Sequence, residues 1–137
     1  MVGLKVGPIF YRIGTGSFLH CFFSTIAVRL EAGNWGSKYP ILMNQLYKGE
    51  VSAGEIGPLI GELDNIKSEL KKHDIGQVVW DIEDRSKKPP WGDNVAARIT
   101  DLSNYFVTND GKDLFEVFYA ATDACQRVNR NLTIKSL

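Results

Sequence analysis

The sequence predicts an α+β fold in which about five helices pack on a small, mainly antiparallel sheet as a single layered domain. Its 137 residues match the commonest domain size and are enough for a real hydrophobic core. Several stretches repeat apolar residues at spacings of three and four, which indicates amphipathic helices. Short segments of strand-like sequence lie near both ends and in the middle. No internal repeat or low-complexity linker divides the chain, so we expect residues 1–137 to form one domain.

The first part of the chain predicts strands followed by a long helix. Residues 9–13 alternate behind a Gly-Pro bend, as in a strand. Ser17 is the expected N-cap of a helix over residues 18–31, because a hydroxyl there can accept the first free N–H groups. Gly33 ends that helix, since glycine readily takes the left-handed conformation of a helix end.

A short second helix and a longer third helix follow. Pro40 suits the first turn of a helix over residues 41–47. The third helix runs from about residue 55 or 58 to residue 72 and gathers its apolar residues on one stripe. Glu62 and Glu69 decorate the opposite, polar side of this helix.

The middle of the chain predicts a strand, a loop and a fourth helix. Residues 77–82 alternate as in a strand, which would bury Trp80. Asp93 or Asn94 is expected to cap a helix over residues 95–106, where aliphatic and aromatic residues recur at helical spacing.

The C-terminal part predicts a fifth helix and a last strand. An Asn-Asp-Gly turn leads into a helix over residues 113–129, and residues 132–135 have the pattern of a short strand. Cys21 and Cys125 each lie in a helical apolar pattern, so we expect both to be buried, reduced packing residues. A disulfide or a nucleophilic thiol is the alternative.

The composition is that of an ordinary soluble globular protein, with 44% hydrophobic and 23% charged residues. The longest apolar run is shorter than a membrane span, and no secretory leader precedes the first strand-like residues. We therefore expect a cytoplasmic protein that does not act at a membrane.

Acidic residues concentrate in the middle of a chain whose formal net charge is zero. Residues 50–84 carry three lysines against nine acidic residues, a local charge of −6. The neutral total argues against general nucleic-acid binding, which favours a basic domain. The acidic segment would suit a basic partner, or it is simply the solvated face of one helix.

A pair of carboxylates at the end of the predicted middle strand is the strongest candidate for chemistry. Asp81 and Glu83 would project from one strand face about 7 Å apart, which suits Mg²⁺ or a general acid and base. The alternative is that they pair with the cations at residues 85–88 or face solvent. No further ligand cluster, nucleophile motif or histidine pattern supports them, so we expect no metal, no cofactor and no catalysis.

Two of the three tryptophans stand in loops, which favours a binding role. Trp35 lies in a glycine-containing loop, and Trp91 follows a double proline. Loop tryptophans among charged residues are typical interface anchors, because they offer a large apolar area beside polar groups. Trp91 equally suits a structural role in which it folds back over the core.

Several segments, in their order along the chain, resemble the immunity proteins of bacterial polymorphic toxin systems, specifically immunity protein family seventy. The resemblance covers residues 17–118. Its most specific pieces are the blocks WDIED…PPWG and YFVTNDG…LF, supported by SFLHCFFSTIAVRLE, WGSKYPILMNQLYKGEV and GELDNIKSEL. It implies a small cytoplasmic protein, made beside a toxin, that binds this toxin and blocks its activity without catalysis.

This resemblance and the residues together predict a cognate toxin domain as partner, and a nuclease with a basic surface would fit the acidic segment. A metal-dependent enzyme that uses Asp81 and Glu83, or a non-catalytic adaptor, is the alternative. The residues that we predict to contact the partner are the acids and loop tryptophans Asp81, Glu83, Asp84, Trp91, Trp35, Glu62 and Glu69.

Overall fold

One antiparallel sheet and the helices packed on it make up the fold. The structure is a computed structural model that describes residues 1–92 and 95–136. In these residues the main elements are, in chain order, β1 (Val2–Val6), β2 (Ile9–Gly14), α1 (Gly16–Arg29), α2 (Ile41–Leu46), β3 (Glu50–Val51), α3 (Ile56–Leu70), α4 (Leu114–Val128) and β4 (Leu132–Ser136). Two three-residue 3₁₀ helices, Ala53–Glu55 and Ile75–Gln77, lie between them.

The sheet has the strand order β2-β1-β4-β3, and all neighbouring strands are antiparallel. Gly7 has a φ of +56° in the tight turn between β1 and β2, a conformation that costs glycine little. Leu4, Val6 and Ile13 are buried under the helices. Lys5 alternates to the other face of β1 and is exposed.

Helix α1 lies in the centre of the core. Every residue from Cys21 to Ala27 is buried, which is more than the single apolar stripe of a surface helix requires. The Phe22 ring packs against three rings from the last third of the chain, at centroid distances of 5.2, 5.6 and 5.5 Å from Phe106, Phe115 and Phe118. The sequence predicted this helix, but not that the core would surround it.

Thr15, and not Ser17, is the N-cap of α1. Thr15 has extended backbone angles, and its hydroxyl oxygen accepts the Phe18 N–H at 3.1 Å. The N-cap prediction was therefore wrong by two residues, because both hydroxyls precede the apolar stripe. At the other end, the Gly33 N–H donates to the Ala27 carbonyl at 2.8 Å, with a Gly33 φ of +84°. The helix itself ends at Arg29 with Leu30 as its C-cap, two residues before the predicted end, and Gly33 closes the turn that follows.

Four further predicted elements are confirmed with boundaries that shift by a few residues. Helix α2 follows Pro40 and winds as a short π-helix. Helix α3 buries its predicted stripe of Leu59, Leu63, Ile66 and Leu70. Helix α4 is capped by Asp113, and β4 joins the sheet beside β1. The two-residue strand β3 was not predicted, because it is too short to show a pattern.

A buried carboxylate organises the loop after α1. Glu31 is only 4% exposed. Its two oxygens accept the N–H groups of Gly36, Lys38 and Tyr39 at 3.0, 2.9 and 3.0 Å. Three donors to one carboxylate compensate for its burial and hold the loop in one shape.

Residues 77–82 are not a strand, which corrects the sequence prediction. This segment runs along α1, and side chains of α1 replace the missing neighbouring strand. Arg29 Nε donates to the Gln77 carbonyl at 2.8 Å, and Thr25 Oγ1 accepts the Val79 N–H at 3.0 Å. Val79 is buried, whereas Trp80 is only half-buried and packs against the edge of the core, so the expected full burial of Trp80 is also wrong.

Residues 95–106 do not form the predicted fourth helix, so the described residues contain four helices besides the two short 3₁₀ helices, and not about five. Polar side chains capture the backbone N–H groups that a helix would need. Asn104 Oδ1 accepts the N–H groups of Thr100 and Asp101 at 3.0 and 3.2 Å, and Asp101 Oδ1 accepts that of Ser103 at 2.8 Å. The predicted caps, Asp93 and Asn94, lie outside the described residues.

Both cysteines are buried and free, as predicted. Burial raises the pKa of Cys21 to about 12 and also raises the pKa of Cys125 above its ordinary value. None of the helices in the described residues combines the length and the apolar character that crossing a bilayer requires.

Replacing Glu31 should destabilise the protein strongly. Glu31→Ala leaves three loop N–H groups without their acceptor and should cost about 3 kcal/mol of unfolding free energy, while Glu31→Gln, which keeps one carbonyl oxygen, should cost less. Asp123→Ala is the matched control, because Asp123 is exposed and pairs with the exposed Arg127 of the same helix; its loss should cost at most about 0.5 kcal/mol. Urea denaturation measures all three. Equal losses for Glu31→Ala and Asp123→Ala would contradict this account.

The two thiols should be unreactive until the protein unfolds. A raised pKa keeps each thiol protonated at neutral pH, and the thiolate is the reactive form. We expect an aromatic disulfide reagent at pH 8 to label neither Cys21 nor Cys125 in the native protein and to label both in guanidinium chloride. The variant Lys48→Cys, with its new thiol on an exposed position, should react at once. Rapid native labelling of Cys21 would show that it is an accessible nucleophile.

Candidate docking surface

A strip of aromatic and polar side chains crosses the outer side of α1 near its N-terminal end. We call it the docking strip. Consecutive members touch or line one cleft, and from one end to the other they are Trp35, Tyr47, His20, Asp81, Trp80 and Trp91.

One end of the strip is an aromatic pair. The ring centroids of Trp35 and Tyr47 are 4.7 Å apart at an interplanar angle of 71°, and the His20 ring stacks 6.3 Å from that of Trp35. Trp35 Nε1 donates to the Met43 carbonyl at 2.7 Å, which fixes the indole. Tyr47 remains 45% exposed. The pair therefore presents a rigid aromatic ring to solvent.

Asp81 and His20 form the centre of the strip. His20 Nε2 lies 3.2 Å from Asp81 Oδ1, and Lys87 Nζ lies 3.9 Å from Asp81 Oδ2. The Glu83 N–H donates to the same Oδ1 at 2.9 Å. On the other side of the imidazole, the Tyr47 hydroxyl lies 3.5 Å from Nδ1. A cleft of about 230 Å³ opens beside Asp81 and His20.

Trp91 forms the other end of the strip and is folded back onto the protein. Trp91 Nε1 donates to the Tyr105 hydroxyl at 2.7 Å. Its ring makes an edge-to-face contact with Trp80 at 5.5 Å and lies 6.4 Å from the Phe18 ring. Trp91 is half-buried, so one part of the indole supports the core and another part stays accessible.

An apolar cleft of about 240 Å³ lies beside Trp91. Its walls come from Phe18 and from the irregular segment that follows residue 94, and they include Val95, Ile99, Tyr105 and Val107. Arg98 stands at the same cleft. A cleft of this size accepts one large apolar side chain of a partner, which Trp91 would flank.

Glu83 and Asp84 extend the acidic character of the strip to solvent. Glu83 is exposed. Hydrogen bonds from the Ser86 hydroxyl and backbone lower the pKa of Asp84 below its ordinary value, so it remains ionised. Three cations follow within the next four residues, Arg85, Lys87 and Lys88, so the local surface mixes both signs.

Glu62 and Glu69 lie apart from the docking strip, on α3. Glu62 accepts the N–H groups of Ile41 and Leu42 at 3.1 and 2.9 Å, and so caps the start of α2. Burial raises the pKa of Glu62, and these two N–H groups oppose that rise. Glu69 pairs with Lys72 at 3.2 Å. No hydrogen bond or ion pair within residues 1–92 and 95–136 joins either of them to the strip.

The structure adds two residues to the site that sequence reasoning missed, His20 and Tyr47. Each lies on a different helical element, and only the tertiary fold brings them beside Asp81. The sequence signal was weak, because His20 only flanks the apolar stripe of α1 and Tyr47 ends a short helix. Their shared feature, a polar aromatic ring at the edge of a helix, is visible only once the neighbours are known.

The chemistry available at the strip favours recognition. Asp81 already meets a histidine, a lysine and a backbone N–H, which a metal ion would have to displace. In the part of the chain that the structure describes, no cluster of three or more His, Cys, Asp or Glu is arranged to hold a metal ion. Accessible rings beside charged groups are the usual composition of a protein-binding surface.

Comparison with known proteins identifies one family. The family model described as "Immunity protein 70" matches residues 4–134, which is nearly the whole chain. Searches of curated proteins and of solved structures found no match.

Proposed function

The chain belongs to the immunity protein 70 family, and from this premise we propose that it binds and neutralises a cognate polymorphic toxin in the producing bacterium, by protein–protein contact and without catalysis. The match over residues 4–134 is the single observation that carries this proposal. The docking strip supports it, because a toxin inhibitor needs a surface that is already in its binding shape.

We assign the affinity of the complex mainly to the aromatic side chains. Trp35 and Trp91 each have their indole nitrogen bonded within the protein, so little side-chain entropy is lost when a partner covers the rings. Tyr47 is the most exposed ring of the strip. Rigid, accessible aromatic rings beside an apolar cleft are the features that slow dissociation of protein complexes.

We assign orientation to the charged groups of the strip. Asp81, Glu83 and Asp84 would contact cations of the toxin, and a basic nuclease surface is a suitable partner. Because cations follow these acids closely in the sequence, the surface presents charges of both signs. A partner must therefore match the positions of these charges, and attraction to a net charge is not enough. In the proposal, Glu62 and Glu69 contribute less, since their carboxylates already serve α2 and Lys72.

Removing the exposed ring should weaken toxin binding without unfolding the protein. Tyr47→Ala should lower the affinity for the C-terminal toxin domain encoded beside the gene by roughly 10- to 100-fold, mainly through faster dissociation. Val128→Ala is the control, because it truncates another exposed apolar side chain, on α4, and should change the affinity less than about twofold. Surface plasmon resonance gives both rates, and co-expression shows whether each variant still rescues growth.

A further variant tests the acidic side chains of the docking strip by the same binding measurement. Reversing Glu83 and Asp84 to lysine should slow association, more at low salt than at high salt. An unchanged association rate at low salt would remove the acids from the interface. If neither this variant nor Tyr47→Ala alters binding or rescue, the docking strip is not the toxin-binding surface.

A small enzyme remains a second candidate because of the Asp81–His20 pair at a cleft. A carboxylate that orients an imidazole is a common acid–base device, and a divalent ion could join Asp81 and Glu83. Calorimetric titration with Mg²⁺ or Mn²⁺ separates the two functions. We expect no saturable one-to-one binding. Stoichiometric binding that Asp81→Asn abolishes would favour the enzyme.

A further inference from the structure

Strand β2 is an open edge of the sheet. It has β1 on one side, and in the described residues no strand lies on the other. On its outer side the Asn109 N–H donates to the Ile13 carbonyl at 2.9 Å, which closes one end of the edge. Within residues 1–92 and 95–136, no backbone bond of this kind reaches residues 9–12. Ile9 is 50% exposed there, so the edge offers apolar surface as well as backbone groups.

The hairpin register determines which backbone groups face outwards. Val6 and Ile9 pair directly across the two-residue turn, so their N–H and C=O groups bond to each other. In the next pair, Lys5 and Phe10, these groups point away from the partner strand. Lys5 directs its groups to β4, where it pairs with Thr133. Phe10 directs its groups to the open edge.

The sheet face turned away from the helices is cationic. A side chain at Gly3 would meet the Phe10 ring, which places this ring on the same face. Glu50 and Asp110 offset the positive charge only at the margins, the former paired with Asn131 and the latter near Arg12 and Lys112. The exposed cations on or beside this face are Lys5, Arg12, Arg130 and Lys135.

We propose that the β2 edge accepts an extended segment of the toxin as a fifth strand, and that this segment alternates acidic and apolar side chains. This inference rests on the proposed function, because it takes the toxin as the partner. The acidic side chains would lie on the outer face beside Arg12. The apolar side chains would lie on the inner face and cover Ile9 and the half-buried Tyr11.

Charge favours a toxin segment over a second copy of this chain. Pairing β2 with β2 of another copy would continue the two sheets into one and set two cationic faces side by side. Lysine and arginine at an edge are a common protection against such self-pairing. An acidic segment of the toxin would instead be attracted by these same cationic side chains.

Two single substitutions at the edge test the proposal. Arg12→Glu reverses the charge beside the added strand, and Ile9→Lys places a charge on its apolar side. Each should weaken binding of the C-terminal toxin domain by about tenfold or more at low salt. Arg127→Glu is the matched control, since Arg127 is exposed on α4, and it should change the affinity less than about twofold. Thermal melts establish that all variants are folded.

Hydrogen exchange gives an independent readout on the unmodified protein. The Phe10 amide should exchange freely in the isolated chain and become protected in the toxin complex. If Tyr47→Ala weakens the complex while both edge variants bind normally, or if the Phe10 amide stays unprotected, strand addition is wrong and the proposed function stands. If the wild-type chain does not bind the toxin domain, both fall. A dimer of the isolated chain that Ile9→Lys dissociates would identify a second copy as the occupant and overturn the proposal.

Discussion

The burial of α1 is the constraint on which the rest of the structure depends. The middle of this helix, from Cys21 to Ala27, cannot turn its polar side chains to water, so each of them needs a hydrogen-bond partner inside the protein. Thr25 and, at the half-buried end of the helix, Arg29 find partners in the backbone of residues 77–79. The buried Glu31, which follows the helix, finds its partners in the loop at residues 36–39. Two segments outside the sheet and the long helices are held against α1 in this way.

The predictable part of the fold is the part that local patterns encode. The apolar stripe from Leu59 to Leu70 predicts a helix with one buried face, and α3 buries this stripe. Alternation in residues 77–82 predicts an extended segment with apolar side chains on one side, but it does not say which neighbour bonds to the backbone. Here Thr25 of α1 takes the place of a neighbouring strand. This partner lies more than fifty residues away, at no position that the local sequence reveals.

In the candidate site, too, only the residues with an unusual local sequence could be predicted. Trp91 and Asp81 stood out because a tryptophan after two prolines and a run of acids are unusual in themselves. The sequence left open whether Trp91 supports the core or faces a partner. Its bond to Tyr105 ties the indole to the protein, and its half-burial leaves part of the ring accessible. His20 and Tyr47 could not be selected, because their significance comes from a shared neighbour and not from their own sequence context.

The docking strip and the β2 edge are neighbours, and this bears on how one toxin could engage both. Strand β2 ends at Gly14 and α1 begins at Gly16, so one tight turn separates the edge from the strip. The apolar cleft connects them: Phe18 and Val107 line it, and two residues after Val107 the Asn109 N–H closes the end of β2. A toxin that added a strand at β2 would meet the Trp91 end of the strip on leaving the edge. Backbone pairing would then supply affinity that depends little on toxin sequence, while the cleft and the charges of the strip would select the cognate toxin.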